Sequence, residues 1–277
     1  MTPLEAAAGL AARYGIRHRE AVVLKDGSNL LVHLAPAPVI LRIATFTAAV
    51  RGDPLPYLRR EAALVSHLAS ADASVMPPSD LVPAGPHVVG GWAMNAWRYV
   101  DHERGAVPDP VTALGALDDL HATLRDFPSP MPYLNPVLDD LDRALAFGLR
   151  HELFTSAQVA STRVRRDGLV VRLQGLAPDV QALHGDAFAR NSLMTATGVL
   201  WIDFEDCCSG PVVWDLATLV RQPPDERIAR IVRERHGEEA LATAIELRAL
   251  QVAVWTVLYG ARERLMTLDA LRRPVDT

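Results

Sequence analysis

The stretch Leu183–Val220, LHGDAFARNSLMTATGVLWIDFEDCCSGPVVWDLATLV, sets Asp186, Asn191 and Asp203 at spacings that have a geometric rationale. After Asn191 comes the run Ser192-Leu193-Met194, then a turn signal at Thr197-Gly198, then Val199-Leu200-Trp201-Ile202. Two short apolar runs about a turn read as a hairpin. Such a hairpin returns the chain and brings Asp203, at the end of its second strand, back beside Asp186 and Asn191. Gly185, between His184 and Asp186, suits a tight loop.

These three residues supply what phosphoryl transfer requires: a carboxylate to orient a hydroxyl nucleophile, and oxygen ligands for magnesium on the nucleotide phosphates. His184-x-Asp186 followed by Asn191 fits the template H-x-D-x-x-x-x-N, in which the Asp faces the acceptor and the Asn holds a metal. Asp203-Phe204-Glu205 then stands in the place of the metal-binding D-F-G. In a chain with 33 acidic residues any one of these fragments alone is more often a turn or a solvated loop. Together, with a strand-turn-strand pattern between them and Trp214-Asp215-Leu216-Ala217 after them, they form one constellation.

The segments HGDAFARN and VLWIDFEDCCSGPVVWDLA resemble the aminoglycoside phosphotransferase and choline kinase group, small-molecule kinases of protein-kinase-like fold. The resemblance implies an α+β, two-lobed chain. Residues 1–100 would form a nucleotide-binding lobe, a small antiparallel sheet with one main helix. Residues 101–277 would form a larger, mostly helical lobe for catalysis and acceptor binding. It implies Asp186 as catalytic base, Asn191 and Asp203 as magnesium ligands, and Asp215 as an anchor beneath the catalytic loop. Glu205 is either a further metal ligand or a solvated carboxylate. ATP and Mg2+ are the implied cofactors, and a small-molecule hydroxyl is the implied acceptor.

The amino-terminal half should then hold the nucleotide. Lys25-Asp26-Gly27-Ser28-Asn29 lies between two β-rich runs and reads as a hairpin turn, with Gly27 at a position that tolerates positive φ. In the resembling family a loop here covers the phosphates, which makes Gly27, Ser28 and Asn29 candidate contacts; an ordinary hairpin has the same pattern. Val39–Ile43 reads as the next strand, with Arg42 its polar break. The family's phosphate-contacting lysine belongs on this strand, but the single lysine of this chain is Lys25. Arg42 stands in that place, as a planar fork rather than a point charge. Glu61, on a helix set by Leu58, Ala62, Val65 and Leu68, is its candidate partner. Past this helix Trp97, Arg98, Tyr99 and Val100 occupy the implied hinge, whose backbone groups would receive adenine.

Farther on, Val111–Leu124 is helical in pattern, and His121 on its apolar face reads as a hydrogen-bonded core histidine. Pro136–Leu149, Glu226–His236 and Glu238–Leu268 continue as helices, the last broadly apolar. The resemblance places acceptor specificity in residues 128–180 and 222–270. There Asp225, Glu226, Glu234, Glu238 and Glu239 would line an acidic pocket for a polyamine or, more simply, sit on solvated helix faces. Trp255 and Tyr259 would stack on a quaternary ammonium or pack in the core.

Composition fits this organisation. The 277 residues are 49 % hydrophobic and 22 % charged, as in soluble globular proteins. No uncharged apolar stretch reaches about 20 residues, and the start MTPLEAAAGLAARYG has an early acid, so neither a membrane partner nor a signal peptide is expected and the location expected is cytoplasmic. Cys207 and Cys208 are adjacent and read as packing residues. A net charge of −5 and a pI near 6.0 argue against nucleic acid as a partner, and the cluster Arg163, Arg165, Arg166 reads as a solvated helix face. Oligomeric state has no sequence signal. An alternative to the kinase, suggested by the single-glycine loop and the absent strand lysine, is a catalytically weak, pseudokinase-like nucleotide binder. A metal-dependent hydrolase on His184, Asp186 and Asp203 would want the histidine-rich ligand clusters that the chain lacks.

Overall fold

Alternation along the strands decides which side chains face which helix. The computed structural model describes residues 1–221 and 224–266. It opens with α1 (Pro3–Arg13), β1 (Glu20–Asp26), β2 (Asn29–Ala35), β3 (Val39–Ala44), α2 (Phe46–Arg51), α3 (Leu55–Ser70), β4 (His87–Val89) and β5 (Trp92–Arg98). The five strands make one antiparallel sheet in the order β1-β2-β3-β5-β4. Strand β3 is buried at every position, so both of its faces are covered. Val39, Leu41 and Ile43 share a core cluster with Ala6, Ala7, Leu10 and Ala11 of α1 and with Met94 and Ala96 of β5. Ala44 and Ala93 pack instead with Tyr57 and Leu58 of α3. The period of two along β3 therefore points Arg42 to the α3 side, where the 3.6-residue period of α3 turns Glu61 inward with Leu58, Ala62 and Val65.

The main helix expected in this amino-terminal region is α3, of 16 residues, and α1 and α2 are shorter additions to it. The sequence does mark α1: Thr2 and Glu5 form a reciprocal capping box and Pro3 takes the first helical position. Gly27 departs from expectation. Its φ is not positive, and a Cβ there would meet only the mobile end of Lys25 at 3.3 Å. The turn is held instead at Ser28, whose carbonyl oxygen accepts from the Thr47 N–H at 2.9 Å and from the Thr47 hydroxyl at 3.1 Å.

The chain continues through α4 (Pro110–Leu124), α5 (Asp139–Arg150), α6 (Ser156–Leu176), β6 (Gln181–Leu183), β7 (Ser192–Thr195), β8 (Gly198–Trp201), β9 (Cys208–Gly210), α7 (Val213–Arg221), α8 (Glu226–His236), α9 (Glu238–Gly260) and α10 (Arg262–Met266). The expected hairpin is β7–β8, with Ser192 opposite Trp201 and Thr195 opposite Gly198. Strands β6 and β9 pair antiparallel on either side of it in sequence. Packing divides the α+β chain into two compact units: Met1–Ser70, Val75–Asp101 and the segment from Tyr259 form one, and Ala71–Ser74 with His102–Leu258 form the other.

Two sequence expectations for the second unit need correction. Arg166 is not on a solvated face; it is buried and pairs with Asp142 and Asp167, while Arg163 and Arg165 pair with Asp142 and Glu246. Helix α9 ends at Gly260, and residues 267 and 268 of the expected helix lie outside the described residues. By length and composition α9 could cross a membrane, but half of that stretch is buried within the protein, the usual state of a core helix.

Candidate active site

In the second unit the turn after β6 carries His184, Gly185 and Asp186, and three hydrogen-bonding residues fix it. The first is Asp215, fully buried at the start of α7. Its Oδ2 accepts from the His184 N–H at 2.9 Å, and its Oδ1 accepts from the Gly185 N–H at 2.9 Å. His121 of α4 supplies a third bond to Oδ2 through Nε2 at 3.0 Å. Burial by itself raises the Asp215 carboxyl pKa; the His121 hydrogen bond and charge and the Gly185 N–H outweigh it and hold the group below its ordinary value.

The second is His184 itself, fully buried between Trp201 and Phe204. The Asp186 N–H donates to its Nδ1 at 3.2 Å, so Nδ1 carries no proton, and Nε2–H donates to the Ile202 carbonyl at 3.0 Å. The ring is thus the neutral Nε2–H tautomer. Burial lowers its pKa from 6.5 to about 4, against the opposing pull of Asp215. The third is Asn191, whose backbone carbonyl accepts from the Ile202 N–H at 2.9 Å. Both polar groups of the Ile202 backbone therefore bond to the segment 184–191, and Asp203 follows directly.

Gly185 is required here for two reasons. Its φ is 86°, in the left-handed region, and a Cβ on it would overlap the carbonyl oxygen of Asp206. The backbones at Gly185 and at the turn after Asp203 are that close.

The structure brings Asp186, Asn191 and Asp203 together. Asn191 donates Nδ2 to the Asp186 carboxylate Oδ2 at 2.8 Å and to the Asp186 backbone carbonyl at 2.9 Å. That orientation leaves the Asn191 side-chain oxygen as an acceptor. Asp203 adopts φ 66°, the left-handed conformation that Asp tolerates better than most residues, and its buried Oδ1 has no hydrogen-bond partner. A buried carboxylate oxygen without a donor suits a hard divalent cation. Among the described residues no group of three or more His, Cys, Asp or Glu could hold a metal by itself. Two protein oxygens suit magnesium, which keeps most of its ligands as water and phosphate. Glu205 sits in the short turn Phe204–Asp206, partly exposed.

Asp186 has its own environment. Burial, with the charges of Asp206 and Asp203, pushes its pKa up to about 7 in spite of Arg248 and the Asn191 hydrogen bond. The Arg248 guanidinium, from α9, forms an ion pair with Asp186 Oδ1. Arg248 was missed in the sequence, where its signal was a cation three residues before Gln251 in an otherwise apolar helix.

In the amino-terminal unit Arg42 and Glu61 form a buried ion pair, both under 4 % exposed. Asn95, opposite Arg42 in the β3–β5 register, donates Nδ2 to the same Glu61 oxygen at 2.7 Å and to the Leu58 carbonyl at 3.0 Å. Sequence reasoning missed Asn95. Gly27, Ser28 and Asn29 form the β1–β2 turn and the start of β2. Of the implied hinge, Trp97 and Arg98 close β5. The N–H groups of Arg98 and Tyr99 donate to the Pro77 and Pro38 carbonyls at 2.9 and 3.0 Å.

The suggested acidic pocket is not one. Asp225 caps α8 and pairs with Arg227, Glu226 and Glu238 pair with Arg233, Glu239 lies 4.0 Å from Arg172, and Glu234 is exposed. Trp255 is buried and Tyr259, on the same helix, is exposed and touches the Phe46 ring.

Comparison with known proteins matches this architecture. No curated protein matches the sequence. The fold is similar to that of amicoumacin kinase hAmiN, solved with AMP-PNP, Ca2+ and Ami, at TM-score 0.65 and 14 % identity over 98 % of this chain and 96 % of that one. It is similar to a choline/ethanolamine kinase family protein from Mesorhizobium loti, at TM-score 0.60 and 21 % identity over 100 % and 90 %. It is also similar to choline kinase LicA from Streptococcus pneumoniae, at TM-score 0.64 and 14 % identity over 97 % and 95 %. These likenesses concern the fold. The phosphotransferase enzyme family model matches residues 22–258, most of the sequence, and the chain belongs to that family.

Proposed function

We propose that this phosphotransferase moves the γ-phosphoryl group of ATP to a hydroxyl of a small molecule, with magnesium as the metal. One observation carries the reading. Asn191 holds Asp186 through its amide nitrogen while its oxygen and the unpartnered Oδ1 of Asp203 remain for a cation. Magnesium, when bound, neutralises charge on the nucleotide phosphates. Asp186 accepts a hydrogen bond from the acceptor hydroxyl, aims it in line with the phosphoryl group and takes its proton as the new P–O bond forms and the bond from the γ-phosphorus to the leaving ADP breaks. Arg42, oriented by Glu61 and Asn95, contacts the α- and β-phosphates. With a loose transition state the protein contributes mainly position and charge. Relatives solved with AMP-PNP or ADP support a nucleotide as donor. The intact Asp186, Asn191 and Asp203 set and the formed Arg42–Glu61 pair weigh against the pseudokinase reading.

The test is ATP consumption over a panel of aminoglycosides, amino alcohols, hydroxy amino acids and sugars. One or more acceptors should give turnover that Asp186→Ala lowers by about 10²–10⁴ fold while nucleotide still binds. Full activity in Asp186→Ala overturns the base assignment. Unchanged magnesium-nucleotide affinity in Asp203→Ala overturns the metal assignment.

A further inference from the structure

Helix α9 carries one side chain whose burial its apolar neighbours do not explain. The Arg248 side chain is only 1 % exposed. Its guanidinium carbon lies 4.9 Å from the centre of the Trp214 ring and 5.4 Å from that of Phe188. Its Nη1 donates to the Gln251 side-chain oxygen at 2.6 Å, one helical turn along, and its Nη2 pairs with Asp186 Oδ1. The rings and Gln251 thus fix the fork before Asp186 is considered.

The two oxygens of Asp186 are held from different sides. Oδ1 meets Arg248, and Oδ2 accepts from Asn191 Nδ2 at 2.8 Å. A carboxylate pinned at both oxygens cannot rotate about its terminal bond without breaking one contact. Phe188 and Trp214 are themselves tied to the same loop: Phe188 lies two residues after Asp186, and Trp214 donates its indole N–H to the Gly185 carbonyl at 3.1 Å.

We propose that Arg248 is a positioning residue for Asp186, setting the plane of its carboxylate before an acceptor arrives. This rests on the reading of Asp186 as the group that faces the acceptor hydroxyl. A stabilising role accounts for the geometry less well. A buried ion pair is commonly no more stable than apolar residues of similar volume, and a long apolar side chain between two rings would pack well. The cation is placed where the carboxylate must be aimed, and misplacing a reacting group by about 1 Å costs around 10²-fold in rate.

The experiment uses the full chain with Arg248→Met and Arg248→Lys. In Arg248→Met, kcat should fall about 10²-fold, about 2.7 kcal/mol in barrier. The KM for ATP should stay within about 2-fold, because ground-state nucleotide binding is untouched. The denaturant midpoint should fall, because Asp186 loses its cation. Arg248→Lys keeps a charge without the planar fork and should recover part of kcat. A merely structural role predicts instead that kcat and the KM for ATP are impaired together, and that result overturns the proposal, as does a Met variant with wild-type kcat. A crystal structure of Arg248→Met separates this from the functional reading, because it needs no turnover. A rotated Asp186 carboxylate supports the proposal even if the wild type consumes ATP with no acceptor, and an unmoved one overturns it.

Discussion

Replacing Asp215 with Ala should release the loop at His184 and Gly185 without unfolding the chain. The carboxylate it removes accepts from two buried backbone donors, the N–H groups of His184 and Gly185, and from His121. A buried donor left without an acceptor costs about 1–3 kcal/mol. The two backbone groups together therefore destabilise the closed loop by about 2–6 kcal/mol. The loss is felt as local opening, since regions of a protein open with separate free energies. Amide hydrogen exchange resolved at His184 and Gly185 measures it. At about 1.4 kcal/mol per tenfold, exchange there should quicken roughly 30-fold to 10⁴-fold. Amides in β2 and β3 should keep wild-type rates. Asp215→Asn should fall between, because its NH2 group faces a backbone N–H in either orientation. If His184 and Gly185 exchange in the Ala variant within about 3-fold of wild type, the claim that Asp215 holds this loop is wrong.

Other outcomes follow from the same geometry. Gly185→Ala should fail to give a folded second unit, whereas Gly27→Ala should melt within about 1–2 °C of wild type, as expected where a Cβ is sterically accepted; thermal melts of both variants decide. Arg42→Ala takes the cation from the buried Glu61 and should cost about 3–5 kcal/mol, read by denaturant titration of the amino-terminal unit; a loss under about 1 kcal/mol contradicts the buried pair. His184 titrates at about 4 folded and 6.5 unfolded, so between those values the unfolded chain binds a proton that the folded chain refuses. Stability should therefore drop as pH falls from about 6.5 to 4, by about 3 kcal/mol from this group. His184→Gln should lose less between pH 7 and pH 4.5 than wild type, and equal losses would refute the assignment.

The candidate site around Asp186 was legible because its geometry is local. Asp186, Asn191 and Asp203 are separated by a hairpin whose length and turn the sequence states, and a two-stranded return admits few outcomes. Arg42 and Glu61 were legible for a related reason, since strand and helix periods both put a charge on an apolar face. Asn95, His121 and Arg248 were not placed with their partners, because the bonds they make span 34, 94 and 62 positions. Nothing in a single sequence fixes which distant helix faces which loop. Gly27 was misread for a different reason. A glycine in a hairpin suggests positive φ, yet here the turn is anchored by Ser28 and Thr47, and its backbone needs no such conformation. Arg166 looked solvated because its charged neighbours in sequence are exposed, while its own face of α6 turns to Asp142.

The two bonds that Ile202 makes, through its N–H to Asn191 and through its carbonyl to His184, have a bearing on how such chains can be recombined. With Gly185 in contact with the Asp206 backbone, the segments 184–191 and 202–206 share one interlocked main-chain surface. A chimera with a crossover between residues 192 and 201 would join halves shaped in different parents. Crossovers in α5 or α6 would keep both halves from one parent. Functional hybrids of this family should therefore inherit the block from His184 to Asp215 whole, with the α9 residue that meets Asp186 carried along from the same source.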